Sequence, residues 1–229
     1  MLLLELDGIK KIYRQGAREV HALRGVDLKV EKGEFTTIFG PSGSGKTTLL
    51  NMVGCLDTPT EGKLIFEGRE LDLLKGKDLA AIRRKNIGFI FQSYNLIPVL
   101  TAYENVEFAL RLAEEGKKDS ELSERVMEIL TAVGLEGLEN RKPDQLSGGQ
   151  NQRVAIARAL VKKPGIVLAD EPTANLDSKT GEEVLEVMLS MNEKLDTTFI
   201  FSTHDPAIME YAKRRIEIKD GLISGDIRL

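Results

Sequence analysis

The chain has 229 residues, 41% of them hydrophobic, which is enough apolar material for one large domain with a sizeable core. Its 36 acidic and 32 basic residues leave a net charge of -4, so it has no chain-wide basic footprint and nucleic acid is excluded as the main partner. The single cysteine, Cys55, excludes an internal disulfide and a cysteine metal cluster, and after an apolar helix it reads as a packing residue.

The N-terminus, Met1-Leu2-Leu3-Leu4-Glu5-Leu6-Asp7, has no basic segment followed by a long apolar run and reads as a strand, not a signal peptide. No stretch approaches the ~18 to 20 uninterrupted apolar residues of a spanning helix, so direct membrane insertion is not expected. Strands are expected over 2–12, 21–30 and 35–39. The third runs into Gly40-Pro41-Ser42-Gly43-Ser44-Gly45-Lys46-Thr47 and a helix expected over 46–55. Strand, glycine loop and helix are the context of a phosphate-binding loop. Its glycines let backbone N–H groups approach phosphates, Lys46 neutralises β/γ oxygens and the Thr47 hydroxyl binds magnesium, with Thr48 next in the same turn. By itself the motif specifies nucleotide phosphates and nothing narrower.

Residues 62–71 read as a hairpin-like segment bending at Gly68, and 87–91 as a short buried strand ending at Gln92. From 101 to 134 the pattern is helical, with Glu114-Glu115-Gly116-Lys117-Lys118 as a solvated break. A second glycine motif follows, Leu146-Ser147-Gly148-Gly149-Gln150. Ser147 reads as a helix N-cap, with Gly148 and Gly149 leaving first-turn N–H groups uncovered and 152–160 continuing as an amphipathic helix. A second phosphate-facing helix suggests that the nucleotide is closed from its other side by another copy or a partner.

Lys163-Pro164-Gly165 stops that helix, and 166–169 is an apolar strand ending in Asp170-Glu171. Residues 178–195 read as helix and 197–201 as strand, with His204 following at its end. The tail over 216–227, around Asp220-Gly221, reads as a closing hairpin. Helices between buried strands imply a parallel sheet whose ligands sit at the strands' carboxyl ends. The expected organisation is one domain, with a nucleotide-phosphate-binding core over 1–92 and 164–229 and a helical subdomain over 93–163.

The two glycine motifs together resemble the ABC ATPase family, whose signature is LSGGQ, and the resemblance covers essentially the whole chain. It implies an α/β P-loop NTPase fold with a mixed sheet core, N-terminal antiparallel strands and an inserted helical subdomain. ATP and Mg2+ are the implied cofactors. Asp170, delivered by an apolar strand in a P-loop protein, reads as a magnesium carboxylate, the alternative being a plain strand-end turn acid. Glu171, one residue on, reads as the group that takes or orients the proton of the attacking water, or else as a second acid of the metal shell; the resemblance assigns it the general-base role.

His204 matches the family's switch histidine, whose imidazole donates to the γ-phosphate, whereas His21 reads as surface or strand packing. Gln92 is either a loop glutamine or, as the resemblance implies, a hinge between core and helical subdomain whose amide oxygen ligates magnesium. Tyr13, read as lying after the first strand, is either packing or, by its position in the family pattern, the aromatic that stacks on adenine. The chain departs from the family's common pattern at Asn175, where alanine is frequent, and at Asn151, where close relatives carry glutamine.

Residues 54–62 and 95–106 look like the subgroup serving lipoprotein-release and macrolide-type exporters. The implied protein is a motor subunit that dimerises head to tail around two ATPs and drives an integral membrane permease from the cytoplasmic face, without entering the membrane itself. An alternative from another class is a regulatory ATPase of the cell-division type that controls wall hydrolysis through a membrane partner. DNA-repair ATPases share the motifs but usually split them with long coiled coils, whereas a compact segment joins Gln92 to Ser147 here. Leu96, Ile97, Val99 and Leu100 around Pro98, with the helix starting near Thr101, are the expected permease-docking surface.

Overall fold

The computed structural model describes residues 1–16, 18–114 and 116–229. The chain forms two compact units, residues 1–83 with 198–229, and residues 84–197.

The first unit opens with β1 (Leu2–Gln15) and β2 (Arg18–Glu31), paired antiparallel from Leu4 opposite Val30 to Tyr13 opposite Val20. Leu4, Leu6, Ile9, Val26 and Val30 alternate into the core. Both strands run further toward their connection than the apolar alternation suggests, because the added residues Arg18, Glu19 and Val20 are exposed and only main-chain pairing extends them. Tyr13 therefore lies inside β1, correcting the expectation that it follows the strand. On the other side of β1 come β4 (Glu61–Phe66) and β5 (Arg69–Glu70), giving the order β2-β1-β4-β5. Gly68 makes the bend between the last two at φ +77°.

A second set of strands carries the glycine loop. β3 (Phe35–Phe39) pairs in parallel with β8 (Thr198–Ser202) and β9 (Arg214–Lys219), and β9 pairs antiparallel with β10 (Leu222–Arg228). All five residues of β8 are buried, as expected of a strand covered on both faces. Phe35 lies 5.6 Å from Phe199 and 5.1 Å from Phe201 between ring centres, a tilted aromatic cluster between β3 and β8. Helix α1 (Lys46–Val53) follows the loop. Cys55, just past it, is buried, and burial pushes its thiol pKa up to about 11, which fits a packing role.

In the second unit β6 (Ile87–Phe91) and β7 (Ile166–Asp170) pair in parallel. Helices α3 (Ala102–Ala113), α4 (Asp119–Ala132), α5 (Gly148–Leu160) and α6 (Ser178–Leu195) accompany them, with α5 packed against α3, α4, α6 and β6. Thr101 caps α3 reciprocally: its hydroxyl accepts from Glu104 N at 3.2 Å, and Glu104 Oε2 accepts from Thr101 N at 2.8 Å. The expected break over 114–118 separates α3 from α4, although Glu115 lies outside the described residues. Two helices escape the sequence reading. In α2 (Gly76–Asn86) only Leu79 and Ile82 are buried, too few to mark an apolar face, and α7 (Pro206–Met209) is a single turn capped by Asp205. Among the described residues no helix is long and apolar enough to cross a membrane.

Arg214 ties the first unit together. Its guanidinium donates twice to Asp226 at 2.8 and 2.6 Å, to Glu34 at 2.8 Å and to the Lys29 carbonyl at 2.7 Å, joining β9 to β10, β2 and the turn before β3. The Arg214 hydrogen bonds hold the Asp226 carboxyl below its ordinary value of 3.8. This carboxylate's stabilisation is therefore complete above that value and is lost as pH falls through the depressed folded value. Arg214→Met should lower stability by about 3 kcal/mol in urea unfolding, because it leaves Glu34 and Asp226 without their shared cation. Asp226→Asn should flatten the acid limb of the stability profile below about pH 4, read by unfolding midpoints across pH.

Candidate active site

In the first unit the β3 and β8 register sets Ile38 opposite Ser202, and Thr203 N donates to the Ile38 carbonyl at 3.2 Å. The glycine loop, leaving β3, and His204, leaving β8, consequently occupy the same carboxyl edge, with His204 solvent-exposed. Pro41, Ser42 and Gly43 are exposed, whereas Ser44 and Lys46 are buried. Gly45 caps α1 at φ 111° and, as a glycine, makes no side-chain cap hydrogen bond. Lys46 Nζ donates to the Gly40 and Pro41 carbonyls at 2.8 and 3.1 Å, which holds the ammonium across the loop. The Ser44 hydroxyl is buried without a hydrogen-bond partner.

Tyr13 is half-buried and held by its polar end, its hydroxyl donating to Asp57 Oδ2 at 3.0 Å. Lys11 Nζ lies 2.6 Å from Asp57 Oδ1 and 5.0 Å from the centre of the Tyr13 ring. Burial first, then the Asp57 carboxylate, raise the tyrosine hydroxyl pKa, while the Thr48 hydroxyl opposes them. Burial would raise the Asp57 carboxyl pKa, yet Lys11, the Thr58 N–H and Tyr13 bring it below its usual value. Asp57 was not among the residues expected here. It orients an aromatic that is linked through Thr48 to the first turn after the glycine loop.

In the second unit the β6 and β7 register sets Phe91 opposite Asp170, which delivers Gln92 and Glu171 to adjacent strand ends. Glu171 has φ 48°, a left-handed conformation costing of order 1 kcal/mol for a non-glycine residue, and the chain bends there directly after the strand. Asn175, the departure from the family pattern, bonds Gln92 in both directions. Its Nδ2 donates to the Gln92 carbonyl at 3.0 Å, and Gln92 Nε2 donates to its Oδ1 at 3.5 Å. Asn151, the other departure, donates to the Pro143 carbonyl at 2.9 Å and so fastens the turn Pro143–Gln145 before the signature.

Ser147 is the expected cap. Its hydroxyl accepts from Gln150 N at 3.2 Å, and Gln150 Oε1 accepts from Ser147 N at 2.9 Å. Gly148 and Gly149 also have a packing role. Gly149 is buried, and a Cβ there would lie 2.4 Å from Thr180 Cγ2, so close packing on α6 requires this glycine. A Cβ on Gly148 would lie 3.0 Å from the Tyr94 hydroxyl and 3.1 Å from Leu176 Cδ2. The segment after Gln92 is thus seated directly on the signature. Tyr94 and Asn95 are both left-handed, at φ 59° and 50°, and Arg158 on α5 donates to both of their carbonyls, 2.7 Å to that of Tyr94. Arg158 was legible only as one of two arginines on an amphipathic helix.

Among the described residues no three His, Cys, Asp or Glu side chains cluster as a metal site. The expected magnesium donors are a hydroxyl, an amide and one carboxylate, Thr47, Gln92 and Asp170, all hard oxygen ligands of the kind that cation takes.

Two glycine-built helix termini, at α1 and α5, with acids and a histidine at strand ends, define a nucleotide-hydrolysing protein of the P-loop class. The ABC transporter family profile matches residues 23–174, and the chain belongs to that family as its ATP-binding, ATP-hydrolysing domain. It is 50% identical over 224 residues, 97% of its length, to the macrolide export ATP-binding/permease protein MacB of Syntrophobacter fumaroxidans, and spans 31% of that protein. It is 45% identical over 229 residues to an uncharacterised ABC transporter ATP-binding protein, MJ0796, of Methanocaldococcus jannaschii, covering 97% of it. A dimeric post-hydrolysis structure of that cassette bound to ADP and Pi superposes with a TM-score of 0.91 at 45% identity, over 99% of both chains. The expected α/β P-loop fold with antiparallel N-terminal strands is thereby established.

Arg158→Met should remove two charge-assisted bonds from a strained segment. The expected result is a loss of about 2 kcal/mol in urea unfolding, with amide exchange rising over 92–98 before it rises in β6.

Proposed function

We propose that the chain is the motor subunit of a membrane exporter and works as a head-to-tail pair of copies around two molecules of Mg-ATP. In this reading the loop from Gly40 to Thr48 cradles the phosphates, and Tyr13 stacks on adenine. Ser147, Gly148, Gly149 and Gln150 of the other copy close the site. Glu171 takes the proton of the attacking water, and His204 donates to the γ-phosphate oxygens. Thr47, Gln92 and Asp170 would hold magnesium, which when bound neutralises charge on the phosphates.

The observation that carries this reading is the likeness over 99% of both chains to a cassette whose structure is described as dimeric with ADP and Pi. The Ser147 cap supports it too, because the reciprocal bond with Gln150 leaves the start of α5 rigid and aimed as a preformed anion site. Relatives named for macrolide export join an ATP-binding part to a permease, and the chain spans about a third of such a protein. This supports a permease partner, a position on the cytoplasmic face and lipophilic or lipoprotein-type cargo.

Glu171→Gln should bind ATP, hydrolyse it at least ~100-fold more slowly and accumulate as a dimer, because the amide cannot take a proton while Lys46 and Thr47 still hold nucleotide. Light scattering at saturating ATP that shows only monomer rejects the paired arrangement. The docking surface is read at Ile97, Val99, Phe108 and Leu112, which are 36, 69, 49 and 47% exposed across the segment before α3 and α3 itself. Val99→Asp with Phe108→Glu should leave basal ATPase and dimerisation unchanged and abolish stimulation by the permease in co-reconstituted vesicles. Normal stimulation by the double variant moves the docking site elsewhere.

A further inference from the structure

The hairpin turn between β9 and β10 lies far along the chain from the glycine loop, yet it touches that loop by main chain. Asp220 and Gly221 form a two-residue turn, with Lys219 opposite Leu222 and φ values of 50° and 79°. Gly221 N donates to the Ser44 carbonyl at 2.9 Å, and the Gly221 carbonyl accepts from Arg24 N, also at 2.9 Å. Ser44 N in turn donates to the Pro41 carbonyl at 3.2 Å. The peptide groups on both sides of Ser44 are thus each fixed by a hydrogen bond, one inside the loop and one from the turn.

The joint closes without room for a side chain. A Cβ on Gly221 would lie 2.8 Å from the Ala22 carbonyl oxygen, and one on Gly45 would lie 2.7 Å from the same oxygen. A Cβ on Gly40 would lie 2.1 Å from the Ile218 carbonyl oxygen. β2, the phosphate loop and the β9–β10 turn therefore meet at backbone contact. The obstacles are carbonyl groups held in strands, which cannot swing aside as a flexible side chain would.

We propose that Gly221 is a positioning residue for ATP binding: its turn holds the Ser44 peptide and with it the N–H groups of the phosphate loop. A side chain at Gly221 pushes the turn off Ala22, the bond to the Ser44 carbonyl lengthens, and the loop's N–H groups lose their common aim at the phosphates. The inference rests on the reading of residues 40–48 as the phosphate site. Gly221 touches no nucleotide in this account and acts only through Ser44.

Gly68 supplies a matched control, because it has nearly the same φ of 77° in the β4–β5 bend but nothing within 4 Å of its Cβ position. Gly221→Ala and Gly68→Ala carry the same left-handed strain, and only the first adds the clash. ATP affinity, measured by titration with a fluorescent ATP analogue, should fall by roughly 10- to 100-fold in Gly221→Ala and stay at the native value in Gly68→Ala. Adenosine affinity should be unchanged in both, since it bears no phosphate. Where Gly221→Ala does not fold, Gly221→Asn and Gly68→Asn make the same comparison, because asparagine tolerates the left-handed region and still carries the clashing Cβ. Lys46→Ala, measured in parallel, separates the two possible failures. Unchanged ATP affinity there overturns the phosphate-site reading and this inference with it. Affinity lost in Lys46→Ala but equal in the two glycine variants overturns the role of Gly221 alone.

Discussion

The structure depends on parallel pairing of short buried strands, which sends neighbouring chain segments off the sheet at one edge. In an antiparallel pair the residue after one strand and the residue after its partner leave at opposite ends. In a parallel pair they leave together, and the residues there are free of ladder bonds and available to a ligand. The first unit uses this to bring the glycine loop after β3 and His204 after β8 to one edge. The second unit uses it for Gln92 after β6 and Glu171 after β7. In both units the apolar strand fixes where the polar residue beyond it leaves the sheet.

Around those edges the backbone departs from its relaxed state, and the surroundings compensate. Glu171, Tyr94 and Asn95 all occupy the left-handed region without being glycine. Each such residue costs free energy that local sequence does not return. Arg158 offsets the cost at Tyr94 and Asn95 by bonding both carbonyls, and Asn175 anchors Gln92 just before them. Arg158 belongs to the same helix that Ser147 caps. The segment after Gln92 and the signature helix are thus tied together within the second unit.

Close approach at a glycine, with no room for a side chain, is the second recurring device. Gly149 lies under Thr180, and Gly88 puts β6 within reach of the Ala159 carbonyl, where an added Cβ would sit 2.8 Å from the oxygen. These contacts hold α5 tightly to β6 and α6. They also explain why glycines that read as simple exposure of N–H groups have a packing role as well: a first-turn N–H can face an anion only if the helix behind it does not move.

What the sequence determined is whatever a contiguous run can encode. The strand, glycine loop and helix over 35–53, the Ser147 cap, the apolar strand before Gln92, the apolar strand ending in Asp170, and the hairpin around Asp220-Gly221 were legible because each carries a local signal, an apolar run, a glycine turn or a cap, within a few consecutive residues. The family itself was legible because its two glycine motifs are short and their order is distinctive. Tertiary structure decided the rest. The outer ends of β1 and β2, and with them the place of Tyr13 inside a strand, come from main-chain pairing of exposed polar residues that show no apolar alternation. Helix α2 buries too few side chains to mark a face. Asp57 under Tyr13, Asn175 on Gln92, Arg158 on Tyr94 and Gly221 on Ser44 join residues from 44 to 177 positions apart. Three of these four contacts engage a main-chain carbonyl, which every residue carries, so side-chain identity leaves little trace of the pairing until the chain has folded.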